Sequence, residues 1–492
     1  MKIQFTSEEL AFIKARGSDV QKIEEQFKYF EKGFPFIHLL RAATLNDGIK
    51  KFSDEELTYY NHLFEIKNQD FTIEKFVPAS GAASRMFKDL QPRNLTPETQ
   101  EKFRQNIQKF AFYTHLKTKY NQIGSWDKDL ESENIIKIIN FLLEEEGLNY
   151  NHLPKALLDF HSYDTHCRTA LEEHFVEAAL YGCGANRECR LHFTITPQHL
   201  NAFQELINKK QKYYEQRFNV HYTLTYSIQS PSTDTLAATP SLQPFRDKNG
   251  ILLFRPGGHG ALINNLNQIN SDIVFIKNID NVIREEKISD TIKYKKALAG
   301  YLLSLQTKVF AYQQLLSETE VDKETCREIQ NFAEKHLQIT FRTSSATQET
   351  LFKALHRPIR VCGMVKNEGE PGGGPFWVKN KEGEVSCQIV EKSQIDIHNT
   401  QQQAILTHAT HFNPVDMVCS FHNFRGEKFD LMQFIDPETG FISEKTHEGI
   451  PLKAMELPGL WNGAMAQWIT IFIEVPLSTF QPVKSVFDLL KH

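Results

Sequence analysis

The chain has 492 residues, of which 40% are hydrophobic and 24% charged, and 56 lysines and arginines against 61 aspartates and glutamates give a formal net charge of −5. That length allows about three domains, or one large α/β unit with insertions, and it leaves ample material for a buried core. The mild acidity excludes a general nucleic-acid coat and a polybasic membrane anchor, although a local basic pocket for a phosphate ester stays open.

No apolar run approaches the ~18 residues of a transmembrane helix. The opening MKIQFTSEELAFIKARG carries early charges and no secretory apolar stretch. Cysteines stand at 167, 183, 189, 326, 362, 387 and 419. An odd count without repeated close pairs fits a reducing cytoplasm rather than a disulfide framework.

In chain order, residues 1–70 read as a helical region, with Ser7 as a first cap and Ser53 with Glu56 as a capping box. The run FTIEKFVPA from Phe71 reads as a strand that ends in the small-residue turn ASGAAS, followed by a helix. Residues 97–181 return to helical periodicity and read as an insertion. Short strands follow in RLHFTIT, VHYTLTYSI, GILLFR and DIVFIKN, then helices over about 286–337. Strands resume from 359 in IRVCGMVK, PFWVKN, VSCQIVEK, MVCSFHNF and WITIFIEVPL. Strands interleaved with helices predict an α/β layered architecture, with one main domain over 71–490.

Five segments carry candidate chemistry. In Ala79-Ser80-Gly81-Ala82-Ala83-Ser84-Arg85-Met86 a strand runs into small residues and then an arginine. Small side chains let backbone N–H groups approach an anion, and Arg85 supplies a fork-shaped cation for phosphate oxygens. Pro256-Gly257-Gly258-His259-Gly260 packs three glycines around a histidine, as expected where backbone passes close to a ligand. Asn278-Ile279-Asp280-Asn281 closes an apolar strand. Ligands of open α/β sheets sit beyond such strand ends, and a carboxylate there suits Mg²⁺, which takes one or two carboxylates plus substrate phosphates. The glycine-rich stretch after Lys366, up to Gly373, reads as a binding loop, with Glu391 ending the strand that follows. The fifth segment joins Leu457-Pro458-Gly459-Leu460-Trp461-Asn462 to Phe480-Gln481-Pro482-Val483-Lys484, where Lys484 offers a point charge to a phosphate. Gln229–Thr235 reads as another polar loop near the site. Two alternatives are weighed beside these: a zinc site from His408, His411, His422 and Cys419, which lacks the His-Glu-x-x-His pattern, and a nucleophilic Cys362 or Cys387.

Taken in order, these segments resemble the sugar-nucleotide pyrophosphorylases, closest to their eukaryotic-type UDP-sugar branch. The first is similar to that family's Ala-Gly-Gly-x-Gly-Thr-Arg-Met/Leu, and Pro256–Gly260 to its Pro-x-Gly-His-Gly-Asp. Asn278–Asn281 resembles its Asn-x-Asp-Asn, Val390-Glu391 its Val-Glu, and Phe480–Lys484 with Asp488-Leu489-Leu490 its Phe-x-Pro-Val-Lys…Asp-Leu-Leu. The chain as a whole looks most like a bacterial domain-of-unknown-function family assigned to the same fold group.

The resemblance implies a glycosyltransferase-A-like, Rossmann-type mixed sheet flanked by helices, with added helical segments. It implies a Mg²⁺-dependent nucleotidyltransferase coupling a nucleoside triphosphate to a sugar phosphate with release of pyrophosphate, with no nucleic-acid or membrane partner. Arg85, Lys88 and Lys484 are the expected catalytic cations and Asp280 the expected metal ligand. Ala79, Ser80, Gly81, Gly258, His259 and Gly260 are the expected nucleotide contacts; Lys366, Gly373, Glu391 and Asn462 are the expected sugar contacts. The sequence departs from the pattern at Ser80 and Ala83, where the family has glycine, and at Ala261, where it has aspartate. The family's Pro-Lys, about ten residues beyond its arginine, is absent from that window, which reads Gln91-Pro92-Arg93-Asn94. Lys88 and Arg93 are the nearest cations. These departures keep open a nucleotide- or sugar-phosphate-binding protein without turnover, and His408 with His411 keep open a zinc hydrolase.

Overall fold

The computed structural model describes residues 3–131, 134–343, 345–369, 372–380 and 383–491. Glu370 and Pro371, inside the expected binding loop, lie outside the described residues. The chain groups into two compact units, each assembled from separated segments: Met1–Phe64 with Ile228–Ile273 and Ala297–Val475, and Glu65–Ser227 with Val274–Lys296 and Pro476–His492. Both are mixtures of sheet and helix.

The second unit holds the strands Ile73–Pro78 and Glu188–Ile195 and all but one end residue of Ile273–Lys277 and His221–Ile228, in the spatial order Ile273–Lys277, Ile73–Pro78, Glu188–Ile195, His221–Ile228. Ile73–Pro78 and Glu188–Ile195 run parallel, with Lys75 opposite Leu191 and Pro78 opposite Thr194. Every residue of Ile273–Lys277 is buried, as an apolar run without alternation requires of a strand covered on both faces. Helix Ala170–Tyr181 starts at a capping box of Thr169 and Glu172 and is buried over most of its surface. Its Phe175 and Val176 join a core with Phe193, Phe203 and Tyr222, which extends to Val483, Val486 and Leu489 near the C-terminus.

The expected insertion is helical over Pro97–Asn106, Tyr113–Tyr120, Trp126–Glu131 and Ile135–Leu143. It departs from expectation at a two-stranded hairpin, Asp159–Ser162 with Cys167–Thr169. The helix expected after Arg85 is reduced to two 3-10 turns, Ala83–Arg85 and Lys88–Leu90.

In the first unit, strands Thr44–Leu45, Gly48–Lys50, Ile469–Glu474, Ile359–Lys366 and His411–Ser420 lie side by side. Ile359–Lys366 is parallel to Ile469–Glu474 and antiparallel to His411–Ser420. A smaller sheet orders Leu39–Ala42, Gly374–Lys379, Val385–Val390 and Ile339–Thr340. The N-terminal 70 residues are therefore not wholly helical, since they carry three short strands between Leu39 and Lys50.

The first helix, Ser7–Ala15, is capped by Thr6 rather than Ser7: the Thr6 side chain accepts from the Glu9 N–H and the Glu9 carboxylate accepts from the Thr6 N–H. The Ser53–Glu56 box forms as expected. Helix Val20–Lys32 buries Ile23, Phe27 and Phe30, one face at helical spacing, against Leu236, Leu252 and Met455. That face joins the N-terminal segment to the first unit, so the grouping by contact differs from the expected boundary at residue 70. The strand expected from GILLFR shrinks to Phe254–Arg255, and a hairpin that the sequence reading did not anticipate spans Phe441–His447 and Ile450–Glu456.

Cys183 and Cys189 are disulfide-bonded, with Cα atoms 4.4 Å apart, where the sequence reading expected no disulfide. Among the described residues no helix is long and apolar enough to cross a membrane.

Candidate functional site

Most of the predicted residues fall into two clusters, one within each unit, while Arg85, Lys88 and Lys366 stand outside their contacts. In the second unit, strand Ile73–Pro78 leads into Ala79, whose N–H donates to the Thr194 carbonyl (3.1 Å) and continues the strand pairing. Among the described residues, the next three N–H groups, on Ser80, Gly81 and Ala82, have no acceptor in the protein. Unpaired consecutive N–H groups on an accessible loop are donors for an anion. A Cβ on Gly81 would meet nothing within 4 Å, so protein packing does not demand glycine there, and the open space suits a close external approach. Ala83 faces the other way: its methyl is buried and its N–H is used by the Leu153 carbonyl (3.1 Å). The alanine at this family glycine position therefore packs into the core.

Asp280 sits at the end of strand Ile273–Lys277, 7% exposed. Its Oδ2 accepts from Lys484 Nζ (2.9 Å) and also from Lys155 Nζ (2.7 Å). Lys155 donates further to the Val483 carbonyl (2.6 Å), and its backbone N–H reaches the Gly81 carbonyl (3.4 Å). The Val483 N–H in turn donates to the Asp280 carbonyl (3.0 Å). Burial works to raise the Asp280 carboxyl, but the two ammonium groups prevail and hold it below its usual value. Burial pulls the Lys155 amine down, partly offset by Asp280.

Lys155 was missed by motif. Its signal is the dipeptide Pro154-Lys155, the Pro-Lys sought near residue 92. The helices from Pro97 to Leu143 separate it from Arg85 in sequence, and the bridge between Ala82 and Pro154 returns it to the loop. Arg85 and Lys88 are exposed and, among the described residues, make no ion pair, so the structure does not bring them onto Asp280.

Both ammonium groups converge on the Asp280 carboxylate, while the nearby Asp488 accepts from the Lys484 backbone N–H (3.1 Å). Among the described residues no three His, Cys, Asp or Glu side chains gather to hold a metal ion. A Mg²⁺ ion carried mainly by phosphates needs only one or two protein carboxylates, and Asp280 Oδ1, which accepts no hydrogen bond from the described residues, meets that need.

In the first unit, His259 Nδ1 accepts from the Leu460 N–H (3.1 Å), so the neutral ring carries its proton on Nε2. Nε2 lies 3.6 Å from Glu391 Oε1, and the imidazole stacks on Trp461 with ring centres 4.7 Å apart. The histidine holds the Glu391 carboxyl below its usual value, against the opposing pull of burial, and Asn462 adds to the lowering. Gly260 is required by packing, since a Cβ there would fall 2.0 Å from the Pro458 carbonyl oxygen. At Gly258, φ is +77°. Asn462 is buried and donates to Gln394 Oε1 (3.3 Å). Gly373 is buried beside this cluster: a Cβ there would lie 3.7 Å from Glu391 Cγ. Lys366 is exposed and paired in register with His411, apart from these contacts.

The alternative zinc site does not form. His408 Nδ1 bonds back to the Ala404 carbonyl, while His411 faces Glu474 at 3.4 Å. Cys362 and Cys387 are buried, and burial pushes the Cys387 thiol up, away from a reactive thiolate.

The architecture that carries these clusters is shared with nucleotidyltransferase pyrophosphorylases. Over 99% of its length the chain is similar to the uridine diphosphate N-acetylglucosamine pyrophosphorylase of Trypanosoma brucei, solved in complex with an inhibitor, at 12% identity and a TM-score of 0.50 with 79% of that chain covered. A UDP-glucose pyrophosphorylase mutant from Leishmania major gives 13% identity and a TM-score of 0.48, with 99% and 79% of the two chains covered. At 12% identity the first of these likenesses speaks for the fold alone. The chain belongs to the family described as a domain of unknown function, DUF4301, whose profile matches residues 6–492. No curated protein matches the sequence.

Proposed function

We propose that the protein is a Mg²⁺-dependent nucleotidyltransferase that couples a nucleoside triphosphate to a sugar phosphate. An acceptor phosphate oxygen attacks the α-phosphorus, the bond from that phosphorus to the bridging oxygen breaks, and pyrophosphate leaves. The observation that carries this reading is the junction in the second unit: three unpaired N–H groups at Ser80–Ala82, with Lys155 and Lys484 converging on Asp280 at a strand end. Phosphoryl chemistry of this kind depends on positioning and on neutralising charge, and the junction offers both.

In this reading the loop N–H groups orient the triphosphate. Lys155 and Lys484 neutralise charge on the transferring and departing phosphates, and Arg85 adds a free cation at the loop. Asp280 holds the metal. When bound, Mg²⁺ supplies charge neutralisation and orientation of the phosphate oxygens. In the first unit, Glu391 accepts from sugar hydroxyls. In that same unit His259, with its tautomer set by Leu460, and the Gly258 backbone offer further polar groups to a ligand.

The test is pyrophosphate release from each nucleoside triphosphate against a panel of sugar 1-phosphates, with Asp280→Ala as control. Release requiring both substrates and Asp280 is expected. A ligand-dependent rise in melting temperature without release in any pairing favours the binding protein without turnover.

A further inference from the structure

Asp280 has two ammonium partners within the protein, and this bears on how the site loads. Its Oδ2 takes two ammonium groups, and Lys155 has its remaining reach committed to the Val483 carbonyl. Asp280 and Lys155 are shielded, with side chains 9% and 13% exposed, whereas Lys484 is 58% exposed. A carboxylate flanked by two lysines is a poor ligand for a bare dication, because the cluster is net positive. Two lysines committed to a carboxylate are in turn poor ligands for a bare triphosphate.

We propose that the site loads by partner exchange: phosphates draw Lys155 and Lys484 off Asp280 while the metal takes the carboxylate they release, so that metal and triphosphate each favour binding of the other. This rests on the nucleotidyltransferase reading of the same residues. The coupling is reciprocal, because a change that one ligand makes in the affinity of the other is returned by the same factor. The exchange weakens binding of either ligand alone and favours the metal–triphosphate pair. The Ser80–Ala82 N–H groups take no part in it and hold phosphate throughout.

The test uses the full chain and two binding measurements that need no turnover. Mn²⁺ binding is read by electron paramagnetic resonance without phosphate, in the wild type and in the double variant Lys155→Met/Lys484→Met. Inorganic triphosphate binding is read by calorimetry without metal, in the wild type and in Asp280→Asn. Exchange predicts that the lysine variant binds Mn²⁺ about tenfold more tightly than the wild type, and that Asp280→Asn binds triphosphate more tightly by a similar factor, within the usual range of coupling between sites. Tightening in neither arm, or in one alone, overturns the proposal. If the double variant does not fold by circular dichroism, Lys484→Met alone serves in the Mn²⁺ arm, with smaller tightening expected and none counting against exchange. Pyrophosphate release by the wild type judges the transferase reading separately. Release without tightening rejects exchange alone, and tightening without release rejects turnover while retaining the exchange.

Discussion

Lys155 makes three contacts that tie separate segments together: its N–H to Gly81, and its ammonium to Asp280 and to the Val483 carbonyl. Lys88, which motif reading placed among the catalytic cations, is exposed and makes no ion pair among the described residues. The two lysines therefore separate in a rate measurement. Lys155→Met is expected to lower pyrophosphate release by ~10²–10³-fold, the usual loss when one preorganised charge contact is removed, with Lys88→Met costing less than about tenfold. Equal losses in the two variants count against the assignment of Lys155. Asp280, Lys484, His259 and Glu391 could be singled out as candidates because each closes a strand or sits in a turn with a short, ordered pattern. Lys155 was not, because its partner loop lies some seventy residues earlier in the chain. Local spacing cannot see a contact made across an insertion.

Between these residues and the fold lie the two strands that lead into Ala79 and Asp280, and a buried network joins them. Glu177, on helix Ala170–Tyr181, accepts from Lys75 Nζ (2.5 Å) on one strand and from Lys277 Nζ (2.6 Å) on the other, and none of the three side chains is exposed. From the same helix His174 Nε2 meets the Ile279 carbonyl (3.3 Å), one residue before Asp280. Burial keeps that histidine neutral, which makes Nε2–H the donor. Alternation places Lys75 on the face of Ile73 and Val77, but its partners Glu177 and Lys277 lie on other elements, so periodicity along this strand cannot reveal the network.

Removing one partner of a buried pair leaves an uncompensated charge, so Glu177→Gln is expected to cost about 3–5 kcal/mol in chemical denaturation. Burial, with repulsion from Lys277 and Lys295, also brings the Lys75 amine down to about 7 despite Glu177. An unfolded lysine keeps its proton up to about 10.4. Between these values the unfolded chain binds more protons than the folded one, so this group makes stability rise with pH from about 7 to about 10. Denaturation across that range should show the rise in the wild type and a flatter profile in Lys75→Met; parallel profiles would reject the assignment.

At the scale of the whole molecule, chain order and spatial grouping part company, which is why the domain reading of the sequence differs from the observed units. Composition changes along the chain mark helical and strand-rich stretches. They carry no information on which stretch returns to which sheet, and that return is decided by long-range apolar contacts such as Phe27 and Phe30 against Leu236 and Leu252.

The last segment shows the consequence most directly. Pro476–His492 belongs with residues 65–227, to which it contributes Val483 and Val486, fully buried, and Leu489, 4% exposed. Burying each such side chain contributes about 1.5–3 kcal/mol. The three together rival the whole net stability of a typical domain, about 5–15 kcal/mol. Ending the chain at Val475 also removes Lys484 and the Val483 carbonyl that fixes Lys155. The truncated protein is therefore expected to lose the second unit selectively: limited proteolysis should cut within residues 65–227 at temperatures where the full chain resists, while Ala297–Val475 stays protected. Point variants at the buried positions should grade the effect, with Val486→Ala sensitising that region and Lys484→Met leaving its protection intact. Uniform digestion of the truncated chain would mean that the two units do not unfold separately.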